Sequence, residues 1–555
     1  MGVIRPIAVD SVIRADDPSR SARMGTPSAV TLDPPAGDHP AAPVASMRWW
    51  QGALAGLAAA GAALGVAQLV SGLLRGTTSP VVSVGEWVID HVPVAVKDFA
   101  IRQFGTNDKP MLIAGTVVAL GLFALVIGIL SIKRLWVGIV GIVLFGLIGV
   151  STAVSRPSAT ASSAVPASIG TVAALAVLVF LLRGSLRPRT LVASSSAATT
   201  LDRRHFLVGA AAISGAALVL GDAGRYLARR FDVGAIRSAI TLPRPRSAAT
   251  ALPAGAELAI AGVTPFVTPN EAFYRVDTAL DAPQVSPTDW ELTVKGMVDD
   301  ELSFTYDDLL ARDDIIERDI TLVCISNEVG GPYAGNARWL GVPLANLLNE
   351  AGVQDGADQL VSRSVDGWTA GTPTRDVLDG RDALVAFGMN GEPLPVDHGF
   401  PVRLVIPGVY GYNSATKWLT ELELTTFGAY DAYWASRGYA QQGPLKTLTR
   451  IDTPRGLANL PAGPTAIGGM AWAIHRGIDA VEVKIDDGGW MSARLGDVTN
   501  GDTWRQWVVD WDATPGSHTL TARSTDGTGE VQREERAEPL PDGASGWHSV
   551  VVIVS

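Results

Sequence analysis

Residues 386–408 read AFGMNGEPLPVDHGFPVRLVIPG. Asn390-Gly391 predicts a tight two-residue hairpin turn, because both positions of such a turn favour residues that tolerate positive φ. Asp397-His398-Gly399 is followed by an alternating run, Val402 to Ile406, that predicts a strand. Together they place His398 and Arg403 near one sheet edge. A structural hairpin with a surface histidine would read the same way.

Upstream, ITLVCISNEVGG at 320–331 is an apolar strand-like run that enters a Gly-rich turn and carries Cys324, the one cysteine of the chain. A single cysteine excludes an intrachain disulfide and any zinc site built from several thiolates. Three readings of Cys324 stand: a small buried hydrophobe, a thiolate ligand to a soft metal, or a nucleophile with a histidine base. His398, His475, His518 and His548 are available for the last of these.

The chain has 555 residues, 47% of them hydrophobic and 18% charged, with 44 Lys+Arg against 55 Asp+Glu, a net charge of −11. A positive mean hydropathy beside that charge content means the apolar residues are segregated into a membrane part and a soluble part. The acidic balance without Lys/Arg clusters excludes nucleic acid as a partner, since such binding rests on cationic contacts to phosphate. Residues 1–47, rich in Pro, Ala, Ser and Asp, are expected to be a disordered cytoplasmic tail. A membrane anchor of about five helices should follow over 48–222: a first span at 52–74, long enough for a bilayer, spans at about 111–131 and 135–153, a shorter one near 169–182 and a fifth read over 201–221. The loop 76–110 is expected to lie against the membrane surface. Arg48, Lys133-Arg134, Arg183, Arg187, Arg189 and Arg203-Arg204 all fall on one side, which the positive-inside rule makes cytoplasmic. The domain after the fifth span would then be extracytoplasmic. LDRRHFLVGAAAISGAALVLG at 201–221 resembles a twin-arginine export signal, a route for domains that fold before crossing. A linker over 223–250, Pro/Ser-rich from 231, leads into an α+β domain at 251–440. Close-spaced strands at 441–555 suggest a small β-sandwich.

The stretch at 386–408 resembles the signature of the sulfite oxidase family of molybdenum enzymes, and the likeness extends in order along 255–555. TPNEAFYRVD at 268–277 is similar to a segment whose Asn and Arg approach the pterin and the metal, LVC at 322–324 to the family's cysteine strand, and GVYGYNSATKWL at 408–419 to its cofactor-binding turn. Tyr433-Trp434 to Tyr439 is similar to the stretch that supplies an active-site tyrosine. The resemblance implies an α+β molybdopterin domain followed by an immunoglobulin-like dimerisation sandwich. It implies that Cys324 is the protein ligand to molybdenum, with Arg275 and Tyr439 flanking the reactive side of the metal to stabilise an anionic substrate and its transition state. Asn270, Phe273, Tyr274, His398, Arg403 and the turn Ser414-Ala415-Thr416-Lys417 would hold the pterin and phosphate edges of a Mo-molybdopterin cofactor. Asp366 and Thr369 would lie in a pocket loop.

There are departures. Where sulfite oxidases carry an Asn-x-Arg-Gly run before the terminal Trp-His, this chain reads PDGASG at 541–546, without the arginine expected to help bind sulfite. The cysteine turn reads Cys324-Ile325-Ser326-Asn327 instead of Cys-Ala-Gly-Asn. His39 and His91 lie in the tail or a loop and His205 beside the paired arginines that open the fifth span, so the paired span histidines of a b-type haem are missing. No haem is expected there, and electrons would pass to or from a separate cytochrome or quinone-linked membrane protein. The reaction implied is two-electron oxygen-atom transfer on a small sulfur compound or oxyanion. Its reverse, reduction of a sulfoxide such as oxidised methionine, is one alternative. A non-catalytic molybdopterin module on a membrane anchor is another, and a homodimer through the sandwich stays open. The spans lack the buried charge pairs and matched interrupted helices that a transporter would need.

Overall fold

The computed structural model describes residues 47–93, 96, 99, 103–104, 108–184 and 195–555. The tail expected at 1–47 therefore lies almost wholly outside the described residues, as do Arg187, Arg189 and parts of the 76–110 segment.

The N-terminal region is helical: α1 Trp49–Leu73, α2 Pro80–His91, α3 Asp108–Lys133, α4 Leu135–Val154, α5 Val165–Gly184 and α6 Ser195–Ala228. Five helices here are long and apolar enough to cross a membrane. Their packing rests on small residues, the usual device where an apolar surround offers no hydrophobic drive. A Cβ added to Gly56 of α1 would lie 2.0 Å from the Ala124 carbonyl oxygen of α3, and one added to Gly72 would lie 2.1 Å from the Gly224 oxygen of α6. These backbones approach because glycine leaves no side chain between them. The basic pair Lys133-Arg134 separates α3 from α4, with Arg134 extended between them. Residues 76–110, expected as a surface loop, include the helix α2 instead. Ser79 accepts from the Val82 amide at its start and Pro80 occupies its first turn.

Two sheets and a shared core form the middle of the chain. One has the order Leu302–Thr305, Glu291–Gly296, Leu419–Thr425, Gln359–Ser364, Thr369–Pro373. The other runs Ile316–Val323, Ala334–Pro343, Leu384–Met389, Glu392–Pro393, with Arg403–Val405 paired to Leu384–Met389. Leu292, Val294, Leu360 and Leu422 of the first sheet share one buried cluster with Val342, Val385, Phe387 and Leu404 of the second. Asn390 and Gly391 both have positive φ, 50° and 83°, and close the expected hairpin between Leu384–Met389 and Glu392–Pro393.

The C-terminal region holds two further sheets, one of Leu448–Thr453, Gly463–Trp472, Arg505–Ala513 and Arg494–Leu495, the other of Asn459–Leu460, His548–Val554, Gly516–Asp526, Ile478–Ile485 and Trp490–Ser492. They pack through Ile467, Trp507 and Val509 against Val481, Val483, Leu520 and Val552. Trp472 and Trp504 of this region belong to a different buried cluster, the one that contains Cys324. The 231–250 stretch is also more ordered than a linker. It forms a short helix, Gly234–Ala239, and Arg237 donates through Nε to the carbonyl of Leu394 at 2.7 Å and through a terminal nitrogen to that of Pro393 at 2.6 Å.

Candidate active site

Cys324 directly follows the strand Ile316–Val323, whose last five residues are all buried. Its thiol is buried too, which pushes its pKa up, while Ser326 and the ammonium of Lys417 pull the other way. The turn after it is tied by Asn327, whose amide donates to the Cys324 carbonyl at 3.0 Å and whose side-chain oxygen accepts from the Tyr333 amide at 2.8 Å. The Nδ2 of Asn327 is buried with no hydrogen-bond partner among the described residues. Around the thiol lies an aromatic and apolar wall that includes Tyr274, Tyr333, Tyr410, Tyr412, Trp434 and Tyr439. Ala544, from the segment where an arginine is missing, is buried in the same cluster.

On the other side of Tyr274 sits a cationic group. Arg403 is buried, donates to the carbonyls of His398 at 3.1 Å and Ala415 at 3.3 Å, and stacks 5.0 Å over the Trp339 ring. No carboxylate pairs with it among the described residues, and burial brings its pKa down to about 10. His398 Nε2 lies 2.9 Å from the Asn270 carbonyl oxygen, which only accepts, so the ring proton sits on Nε2. Burial, then Arg403, pushes His398 down to about 4, so it is neutral at pH 7. Phe273 stacks on Tyr274 and meets His398 edge-on. Lys417 reaches Asp277 Oδ2 at 2.6 Å and the Asp397 carbonyl at 3.1 Å. Burial lowers its pKa to about 8, and Asp277 opposes that. The amides of Thr416 and Lys417 donate to no backbone oxygen among the described residues.

The structure thus gathers Cys324, Tyr274, Phe273, Asn270, His398, Arg403, Ala415 and Lys417 into one neighbourhood, with Tyr439 on the aromatic wall. Other candidates are placed differently. Arg275 is bound to carboxylates, Asp277 at 3.0 Å and Asp397 at 2.9 Å. The hydroxyls of Ser414 and Thr416 serve internal bonds, to the carbonyls of Val409 and Tyr410 and to Ser362. Asp366 accepts from the Trp368 amide, and Thr369 from the Tyr433 amide, without reaching the thiol cluster. Sequence reasoning assigned no role to Asp277. The local signal for it is Arg275, two residues before it in RVD at 275–277.

Among the described residues no group of three or more His, Cys, Asp and Glu side chains could hold a metal ion. A metal here would need one protein donor and an organic ligand. The donor set suits an anionic pterin dithiolene: one buried thiol, a buried guanidinium with no carboxylate, two free amides and the orphan Asn327 Nδ2.

The family profile described as "Oxidoreductase molybdopterin binding domain" matches residues 279–434. The uncharacterized oxidoreductase YuiH of Bacillus subtilis is 32% identical over 156 residues, 28% of this chain and 75% of that protein. The mitochondrial sulfite oxidase of Homo sapiens is 29% identical over 347 residues, covering 52% of this chain and 62% of the relative. The chain belongs to the sulfite oxidase family of molybdopterin-dependent oxidoreductases. The sulfite oxidase of Gallus gallus is 30% identical over 294 residues, 45% of this chain and 63% of that one. The chain spans between 41% and 63% of the length of the sulfite oxidases it matches. Among solved structures, the sulfane dehydrogenase SoxCD of Paracoccus pantotrophus aligns with 53% of this chain and 84% of its own at 25% identity and TM-score 0.46, which adds no weight.

Proposed function

We propose that the chain is a membrane-anchored, extracytoplasmic molybdenum oxidoreductase that transfers an oxygen atom to or from a small sulfur compound. The observation that carries this reading is Cys324 at the buried end of its strand, between an aromatic wall and a cationic group with too few carboxylates to neutralise it. Bound there, the cofactor would supply two-electron redox and oxygen transfer at molybdenum. Cys324 would be its protein ligand, Arg403 and Lys417 would neutralise its phosphate and pterin edges, and the amides of Thr416 and Lys417 would donate to them. Asn270 and His398 would fix the pocket's rim, with Phe273 and Tyr274 closing it to water. Tyr439, on the substrate side, would donate to the transferred oxygen.

The wall also bears on the substrate. The charged side chain acting on the Cys324 thiol is Lys417, and the wall residue from the 541–546 segment is Ala544. Sulfite is a dianion and would need more cationic donors on that side. A neutral sulfur compound, such as a sulfoxide reduced or a thioether oxidised, suits the wall better. Electrons would be exchanged with a separate cytochrome or quinone-linked membrane protein. The two C-terminal sheets would form the immunoglobulin-like sandwich of the family and could support a homodimer.

The test is metal and pterin content of the purified full chain from a host that makes the cofactor, with electron paramagnetic resonance of the half-reduced state for wild type and Cys324→Ser. Near-stoichiometric molybdenum with a Mo(V) signal altered in the variant is expected. Folded protein without molybdenum would overturn the reading. Turnover is then compared between sulfite and methionine sulfoxide with an artificial carrier, and faster sulfite turnover would overturn the neutral-substrate part.

A further inference from the structure

The helical region touches the α+β domain at the residues of the candidate pocket. Lys109, in the first turn of α3, reaches Asp277 Oδ1 at 2.7 Å and the Ala279 carbonyl at 2.7 Å. The other oxygen of that carboxylate holds Lys417 at 2.6 Å and Arg275 at 3.0 Å. Asp277 is only 6% exposed and is drawn to all three cations; burial works to raise its pKa, and Lys417, Lys109 and Arg275 together take it well below the usual carboxylate range. Two further contacts lie along the same face. Tyr433 donates to Asp90 of α2 at 2.7 Å, and Gly367 abuts Pro157, where an added Cβ would come within 2.1 Å of the proline ring. The first contact falls on 268–277, with which the pocket is built, and the second opens 433–439, which carries Trp434 and Tyr439 of the aromatic wall; Gly367 lies outside the pocket.

We propose that Lys109, carried by the helical anchor, is a positioning residue of the cofactor pocket, fixing Asp277 so that its second oxygen holds Lys417 and Arg275 at the pocket's edge. The proposal rests on reading that pocket as the molybdopterin site. A carboxylate shared among three cations has its orientation set by all of them, and Lys109 is the one that comes from the anchor. Without Lys109, Oδ1 loses its ammonium, the carboxylate is free to turn, and Lys417 and Arg275 lose their common support. The anchor would then be a wall of the working site as well as a tether.

The test uses the full chain in detergent or nanodiscs, comparing wild type with Lys109→Gln, Lys109→Arg and Arg75→Ala. Arg75 pairs with Asp289 at 3.0 Å, so it also joins anchor to domain, but at an exposed place away from the pocket. Lys109→Gln is expected to release molybdenum about 10-fold faster than wild type on dilution, and the Mo(V) signal of its remaining cofactor should be shifted. Lys109→Arg should restore both, and Arg75→Ala should match wild type. A Lys109→Gln protein with wild-type retention and spectrum would overturn the proposal. So would equal loss in Arg75→Ala, which would mean that general undocking is the cause, or failure of Lys109→Arg to restore either property. Absence of molybdenum from wild type would instead overturn the cofactor reading, and this inference with it.

Discussion

Arg403 and Cys324 decide what the pocket can hold, and each makes a prediction of its own. A buried guanidinium whose hydrogen bonds, among the described residues, go to carbonyls is a standing cost to the fold, because burial disfavours its charge without an anion to offset it. A shift from the ordinary 12.5 to about 10 corresponds to roughly 3 kcal/mol. Arg403→Met should therefore leave the cofactor-free chain as stable as wild type or more so, while the cofactor-loaded form loses molybdenum. Thermal unfolding with and without cofactor checks this, and a large drop in stability of the cofactor-free variant would contradict it. Cys324→Ser is near-isosteric in a buried site, so it should cost only about 1–2 kcal/mol in stability yet abolish turnover, read by unfolding and by assay on the same sample. At this scale the sequence was most informative where chemistry is rare: the lone Cys324, and His398 and Arg403 flanking a turn. It was least informative for Arg275, because one of its two carboxylate partners, Asp397, lies far along the chain and that pairing exists only once the fold brings them together.

Elements carry their own consequences. His548, at the start of the last strand, accepts the Ile451 amide on Nδ1 at 2.9 Å, a bond that its protonated form cannot make. Burial, then Arg450, pushes it down to about 4 from 6.5. The unfolded chain therefore binds a proton between pH 6.5 and 4 that the folded chain refuses. The stability from His548 is fully present above about pH 6.5 and is lost as pH falls toward 4. Comparing wild type with His548→Gln cancels the other titrating groups, and the wild type's relative stability should fall by about 2 kcal/mol between pH 7.5 and 5. A constant difference between the two proteins across that range would refute it. In the helical region, Gly224→Leu should separate α6 from α1, since a Cβ at 224 already falls 2.3 Å from the Gln68 carbonyl oxygen. Thermostability of the detergent-solubilised chain should drop sharply, whereas Gly215→Leu, at an open position on the same helix, should not. Long apolar runs and the Asn390-Gly391 turn were readable because hydropathy and turn chemistry act locally. The helix α2 and the docking of Arg237 were not readable. Both have partners more than a hundred residues away, Tyr433 for Asp90 of α2 and Pro393 for Arg237, that no local pattern encodes.

For the whole molecule, the arrangement of the helices has a consequence for sidedness. The chain enters the helical region at Trp49 and passes through α1, α3, α4, α5 and α6, so the end of α1, the start of α3, the end of α4, the start of α5 and the end of α6 all lie on one side. Contacts agree with this alternation: Arg230 donates to the Leu73 carbonyl, Arg156 bonds to Thr78 and Glu86, and Lys109 meets Asp277. The α+β domain is attached on that side, and Lys133, Arg134 and Arg203-Arg204 lie toward the opposite one. If basic residues stay in the cytoplasm, the domain lies outside it. The native chain offers one cysteine, and it is buried, so introduced cysteines report against a quiet background. Lys133→Cys and Asp355→Cys are both at exposed positions. A membrane-impermeant maleimide applied to intact cells should label Asp355→Cys and leave Lys133→Cys unlabelled until the cells are opened. The reverse pattern would place the pocket in the cytoplasm, remove any need for a twin-arginine route, and point to a cytoplasmic electron donor in place of a membrane-bound one.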